Sequence, residues 1–344
     1  MGCREFLRAV ALALCIAAVR CKENACIFVL CRNTDITGLK KTLSEFENRF
    51  NRKYEYPYVI VNDVEFTEEF KREISSVTRS KIEFGTVPKE HWAFPPWVDA
   101  KIAQEKIDAM GRAGVIYGGS LSYRHMCRYF SGFFYRHPLM EKYEYYWRIE
   151  PDTLLHCDVD YDVFRFMREN KKKYGFVIAL HEFAATIPSL WRSVKRFVSE
   201  YNTKYRTGNM WEMVHPNSLK RFVTDEVFES YNLCHFWSNF EIGDLSFFRS
   251  LRYSMFFEYL DRSGGFFYER WGDAPVHSIA VSLFLDQKEV HYFEDIGYTH
   301  PPFTHCPKPS LQRSCSCKHK DSYEKTMSSC ISLYRTVRMF GEKR

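Results

Sequence analysis

The sequence predicts an α/β fold with a mostly parallel central sheet flanked by helices. Three observations predict it. Short apolar runs recur at strand length, amphipathic helical stretches separate them, and polar residues gather where the early strands stop. Parallel strands need long crossovers, and a helix is the usual crossover, so this alternation is the pattern of a sheet covered by helices.

Each element follows in order. Residues 26–31 (CIFVLC) read as a buried strand ending in the turn Arg32-Asn33-Thr34-Asp35. Ile36, Leu39, Leu43, Phe46 and Phe50 then recur at helical spacing. Residues 58–61 form a second strand, stopped by Asn62-Asp63. Phe66, Phe70, Ile74 and Val77 mark a second helix, and residues 81–87 a third strand. An aromatic loop, residues 91–97, leads to a helix near residues 98–112. Residues 145–149 are another strand, which delivers Glu150-Pro151-Asp152 at its end, and residues 175–180 are a strand after a short helix. Ligands of such sheets sit beyond the carboxyl ends of the strands. Arg32, Asn33, Asp35, Asn62 and Asp63 all fall there.

Composition narrows the function classes. The 344 residues carry a formal net charge of +6, with Lys and Arg scattered apart from Lys171-Lys172-Lys173. Without a basic stripe interleaved with stacking aromatics, nucleic acid is not an expected partner. Aromatic content is 17%, which serves either a Phe-rich core or carbohydrate binding. At the N-terminus, Arg4 and Arg8 precede an apolar run over residues 10–19 that fits a signal peptide or short signal anchor and is too short to span a bilayer. Phe6 stands where myristoylation needs Ser or Thr. Twelve cysteines suit an oxidising compartment, with disulfides tying down the tail that holds Cys315, Cys317 and Cys330. A zinc cluster using His305 or His319 is the rival, although no pair of C-x-x-C units supports it. Cys127, Cys157 and Cys234 are read as either paired or reduced in the core. The expected divisions are a leader over 1–21, one domain over 22–306, and a Cys-containing tail over 307–344.

Two regions carry chemistry. Glu150-Pro151-Asp152 puts two acids at a strand end, which suits a hard divalent cation bridging a diphosphate. Residues 234–277 alternate aromatics with Glu241, Asp244, Glu269 and Asp273, the mixture a sugar pocket uses: flat rings for C–H faces and carboxylates for hydroxyls. Within this stretch Asp244 reads as a helix cap and His277 as a structural histidine. Glu241, between Phe240 and Ile242, is costly to bury without a partner or a task.

Residues 123–129 (YRHMCRY), 131–136 (SGFFYR), 145–152 (YYWRIEPD), 234–277 and 296–300 (IGYTH) together resemble the fungal-type Golgi α-1,2-mannosyltransferases of glycosyltransferase family 15. That similarity extends over about residues 25–307. The resemblance implies a GT-A-type fold, GDP-mannose as donor, Mn²⁺ as cofactor, and α-mannose transfer with retention to a mannose-terminated glycan or glycoprotein in the Golgi lumen. It implies Glu150 and His300 as metal ligands, Tyr123 near the diphosphate, and Arg32 and Asn33 on the nucleotide. Asp152, the second acid of the triplet, joins the donor-binding set. Glu241 is implied at the β-face of the donor sugar, as nucleophile or as charge stabiliser, and Asp273 at donor or acceptor hydroxyls. The alternatives are transfer of another nucleotide-sugar or of mannosyl phosphate, and a non-catalytic mannan-binding protein. Residues 192–230 resemble the family only loosely and are expected to shape acceptor choice, and the leader leaves membrane attachment possible.

Overall fold

A computed structural model describes residues 22–204, 213–225, 227–312 and 314–341. The expected leader, and residues 207–212 within the loosely similar segment, lie outside the described residues.

The chain opens with β1 (Ala25–Leu30), α1 (Ile36–Phe46), β2 (Tyr58–Asn62), α2 (Glu68–Ser75), β3 (Ile82–Thr86), α3 (Ala100–Arg112) and α4 (Leu121–Gly132). It continues through β4 (Tyr145–Arg148), β5 (Leu154–Leu155), α5 (Val163–Glu169), β6 (Tyr174–Phe176), β7 (Ala179–His181) and α6 (Leu190–Lys204). Next come β8 (Cys234–Phe236), β9 (Glu241–Asp244), α7 (Leu251–Arg262), α8 (Asp273–Phe284) and β10 (Val290–Tyr292). β11 (Tyr298–His300), β12 (Phe303–His305) and α9 (Ile331–Gly341) complete it.

Seven strands form the central sheet in the order β10-β6-β9-β4-β1-β2-β3. All its pairings are parallel except those of β9, which runs antiparallel to both β4 and β6. This mostly parallel α/β architecture is of the GT-A type. Both faces of the sheet are buried, as the unbroken apolar run of β1 requires. Cys26 and Phe28 enter one core cluster, while Ala25, Ile27 and Val29 enter the other. Alternate residues of a strand point to opposite faces, so one strand seeds both cores.

Two departures from the sequence reading have a physical reason. The strand expected over 175–180 is two strands, with β6 in the central sheet and β7 paired antiparallel to β8. Apolar periodicity reports burial and does not say when a buried chain changes sheet. The tail, expected as a polar appendage, contains α9, whose Ile331 and Tyr334 lie in the core. Disulfides Cys157–Cys315, Cys234–Cys330 and Cys306–Cys317 tie this segment to the body. All three tail cysteines, and Cys306 just before the tail, are therefore in disulfides, which removes the thiolates that the zinc reading needed. Cys127 stays free and buried.

Candidate active site

β4 delivers Arg148 and then Glu150, and β11 delivers His300. The residues after Glu150 turn back as β5, which pairs antiparallel with β11 through Leu154↔Thr299 and Leu155↔Tyr298. That pairing brings residues 150 apart in sequence face to face: Glu150 Oε2 lies 3.6 Å from His300 Nε2. Arg148 occupies the other carboxylate oxygen, Oε1, with Nε at 3.0 Å and Nη2 alongside. His300 turns Nδ1 toward the Pro301 carbonyl oxygen at 3.0 Å, and a proton donated there leaves Nε2 with its lone pair free.

The electrostatics keep Glu150 ionised. Burial raises its pKa, but Arg148 and His300 outweigh burial and bring it down to about 2. Burial pulls His300 down, and Glu150 more than restores it. One carboxylate oxygen and one imidazole nitrogen are donors of the type that would suit a divalent cation such as Mn²⁺.

Arg148 also links Glu150 to Asp273. Its Nη1 donates to Asp273 Oδ2 at 2.6 Å, and its guanidinium lies 3.3 Å from the Phe130 ring centroid. Asp273, the first residue of α8, accepts a second bond from Ser238 Oγ at 2.7 Å. Arg148, Glu150, Ser238, Asp273 and His300 all line one cleft of ≈ 1070 Å³. A second chamber, ≈ 310 Å³, lies past the ends of β1 and β2 and is lined by Arg32, Asp35, Asn62 and Asp63. Tyr123 and Met126 of α4 line both spaces, so the two meet at that helix. The rest of the α4 motif holds the helix in place. Arg124 donates to the Glu269 carbonyl at 3.0 Å, and Arg128 pairs with buried Asp261 at 2.7 and 2.9 Å.

The structure thus brings together Arg32, Tyr123, Glu150, Asp273 and His300. Three other expected site residues are not brought to the cleft. Asn33 binds the Glu65 carbonyl and the Thr67 amide, fixing the turn before α2. Asp152 is exposed at φ +63° and folds back against Gly38, where a Cβ would sit 2.7 Å from its carboxylate. Glu241 is fully enclosed. Its carboxylate accepts from the hydroxyl of Tyr146, from that of Tyr174 at 2.8 Å, and lies 2.8 Å from His277 Nδ1. Strand register places Glu241 opposite Arg148, on the same sheet face. Gly243 makes this possible, because a Cβ there would meet the Tyr146 ring at 2.5 Å.

Sequence reasoning gave Arg148, Ser238 and Glu182 no role. An arginine ending the buried aromatic strand YYWR was the available signal. Buried charge without an evident partner marks a site or an ion pair. Glu182, in the cleft wall, pairs with buried Arg270 at 3.3 Å. Asp244 caps the short turn Leu245–Phe248 by accepting from the Ser246 amide at 2.8 Å, and also binds Lys173 at 2.7 Å.

Comparison with known proteins identifies the family and the fold. Residues 11–339 match the protein family described as "Glycolipid 2-alpha-mannosyltransferase". The chain is 49% identical over 319 residues to "Alpha-1,2 mannosyltransferase KTR1" of Saccharomyces cerevisiae, covering 92% of this chain and 79% of that protein. It is 46% identical over 326 residues to "Glycolipid 2-alpha-mannosyltransferase 1" of Candida albicans, covering 94% and 74%. Among solved structures, Core-mannan synthase A from Aspergillus fumigatus in its Mn/GDP form superposes with a TM-score of 0.85 at 41% identity, covering 93% of this chain and 86% of that one. The mannosyltransferase Ktr4p of S. cerevisiae in complex with GDP gives 0.84 at 37% identity, covering 92% and 82%. The chain belongs to this mannosyltransferase family.

Proposed function

We propose that this chain moves mannose from GDP-mannose to a mannose-terminated glycan on glycoproteins, forming an α-1,2 linkage with retention, in O- or N-glycan elongation. The observation that carries the reading is the Glu150–His300 pair at 3.6 Å where the cleft wall also holds Arg148 and Asp273. Glu150 and His300 would hold Mn²⁺, and the bound cation would neutralise charge on the leaving diphosphate. The Mn/GDP form of the related Core-mannan synthase A supports this choice of ion and nucleotide.

This chain's own residues supply the rest. Arg32, Asn62 and Asp63 hold the nucleotide in the smaller chamber, and Tyr123 stands at its junction with the cleft. Arg148 keeps Glu150 ionised and fixes the Asp273 carboxylate, whose role is to bind donor or acceptor hydroxyls. A nucleophile must reach the anomeric carbon, and an enclosed carboxylate has no path to it. Enclosure therefore supports Glu241 as a fixed negative charge beneath the sugar, with substitution on one face, over a covalent intermediate. The disulfides and the apolar run at 10–19 support the secretory pathway and the Golgi lumen, with the N-terminus cleaved or kept as an anchor.

Mannose transfer from GDP-mannose to α-methyl mannoside, with Mn²⁺ and with EDTA, tests the reading. Metal-dependent transfer is expected, and linkage analysis should return α-1,2. Tight GDP–Mn²⁺ binding without transfer to any mannoside would overturn it in favour of a binding protein, and turnover only with another sugar nucleotide would overturn the donor.

A further inference from the structure

The cleft is larger than one transferred sugar requires. At ≈ 1070 Å³ it reaches the top of the roughly 300–1,000 Å³ that small-ligand pockets span. Glu150, His300, Arg148 and Asp273 form one stretch of its wall. Another stretch comes from the disulfide-tied tail, through Asp321, Tyr323, Thr326 and Ser328.

Aromatic rings join the two stretches without a gap. Trp237 lies 4.8 Å from the His300 ring, Phe303 lies 5.5 Å from Trp237, and Tyr323 lies 4.3 Å from Phe303. All four rings line the cleft. The rings are tilted by 62°, 60° and 43° to one another, so they form a continuous apolar wall of mixed edges and faces rather than a flat platform, suited to the C–H groups of linked pyranoses. At its tail end Asp321 is exposed, and its carboxylate has no hydrogen bond or ion pair to other described residues. A free carboxylate beside an aromatic ring is a ready acceptor for sugar hydroxyls.

This wall is fixed before any ligand arrives. Cys306–Cys317 and Cys234–Cys330 clamp the tail on either side of it. Inside the clamp, Ser322 Oγ accepts from the Cys306 amide at 3.2 Å, and the Tyr292 hydroxyl donates to Glu324 at 2.7 Å. The Ser328 carbonyl accepts from the Tyr323 hydroxyl at 3.1 Å and lies 3.0 Å from His181 Nδ1. Ordering paid in advance by covalent and polar ties raises affinity for a ligand that fits.

We infer that tail residues 321–328 form a distal acceptor subsite that binds a hexose beyond the one being extended. The inference rests on the mannosyl-transfer reading above and adds to it a substrate class: oligomannosides are better acceptors than a single mannose. Initial rates with α-methyl mannoside, mannobiose and mannotriose, on the native chain and on Asp321→Ala, test it. For the native chain kcat/KM should rise about tenfold from the monosaccharide to the trisaccharide, the value of one hydrogen bond to a charged group. Asp321→Ala should erase most of that rise, and Tyr323→Leu should do the same by removing the last ring. An absence of length preference in the native chain overturns the inference, as does an equal loss on all three acceptors in both variants. If no acceptor is turned over, the transfer reading has failed on its own, and calorimetry with mannotriose and GDP–Mn²⁺-loaded protein decides the subsite. Binding by the native chain that weakens in Asp321→Ala supports it, and equal or absent binding overturns it.

Discussion

Two glutamates sit on neighbouring strands of one sheet and meet opposite fates. Glu150, just past β4, gives one oxygen to Arg148 and turns the other toward His300 at the cleft wall. Glu241, on β9, is fully enclosed, with two tyrosine hydroxyls and His277 around its carboxylate. Both carboxylates are held by nearby donors, yet only Glu150 keeps an oxygen facing open space. A carboxylate that is fully bonded in the interior fixes structure and field, whereas one left half-bonded in a cleft is available to a ligand.

The sharpest way to break this contrast is to truncate each acid. Glu241→Ala should cost about 3–5 kcal/mol of stability, because it strands two tyrosine hydroxyls and His277 in the interior. Urea unfolding measures this, and a loss below about 1 kcal/mol would mean the enclosed cluster is not the structural element described. The isosteric Glu241→Gln should keep the fold and GDP binding while turnover falls; wild-type-like turnover would sink the electrostatic role.

On the cleft side, Glu150→Gln and His300→Ala should each lower Mn²⁺-supported turnover by about 10²–10³, and Glu150→Gln should cost less stability than Glu241→Ala because Arg148 keeps Asp273 as a partner. Paired turnover and calorimetric Mn²⁺ titrations check this. If Glu150→Gln unfolds the protein as readily as Glu241→Ala, the distinction between the two acids fails.

Acid sharpens the comparison from another side. Burial holds His125 and His305 down at about 4, against about 6.5 in the unfolded chain. Below pH ~6.5 the unfolded chain takes up these protons and the folded chain does not, so stability falls as pH drops toward 4, by about 3 kcal/mol for each group. His277 runs the other way. Burial lowers its pKa, but Glu241 more than offsets that, so its contribution is present at low pH and lost as pH rises through its raised folded value. Urea midpoints between pH 4.5 and 8 should therefore fall on the acid side, and more steeply in Glu241→Gln, where His277 loses its anionic partner.

Gly243→Ala is the smallest of these effects, at about 1–3 kcal/mol, since the added Cβ meets the Tyr146 ring at 2.5 Å and must displace it. Loss of turnover beyond the loss of folded protein would show that the Tyr146–Glu241 bond matters to the reaction.

Much of this molecule is written in local pattern. Short apolar runs marked the first three strands and period-3.6 spacing the helices between them, and the polar residues ending β1 and β2, apart from Asn33, do line the smaller chamber. Burial of an apolar face is decided residue by residue, so spacing alone reveals it. Motif resemblance supplied Glu150, His300, Tyr123 and Asp273, all of which the fold gathers at one cleft. What only the tertiary structure decided is which polar groups meet. Arg148 reaches Asp273 across 125 residues, β5 pairs with β11 to set His300 beside Glu150, and the tail returns through disulfides to wall the cleft. Asn33, Asp152 and Glu241 carried the right chemistry and were turned elsewhere by a neighbouring carbonyl, a left-handed φ and a ring of buried donors. A polar side chain's role depends on the partner it finds, and those partners lie far away in the chain, where no local pattern records them.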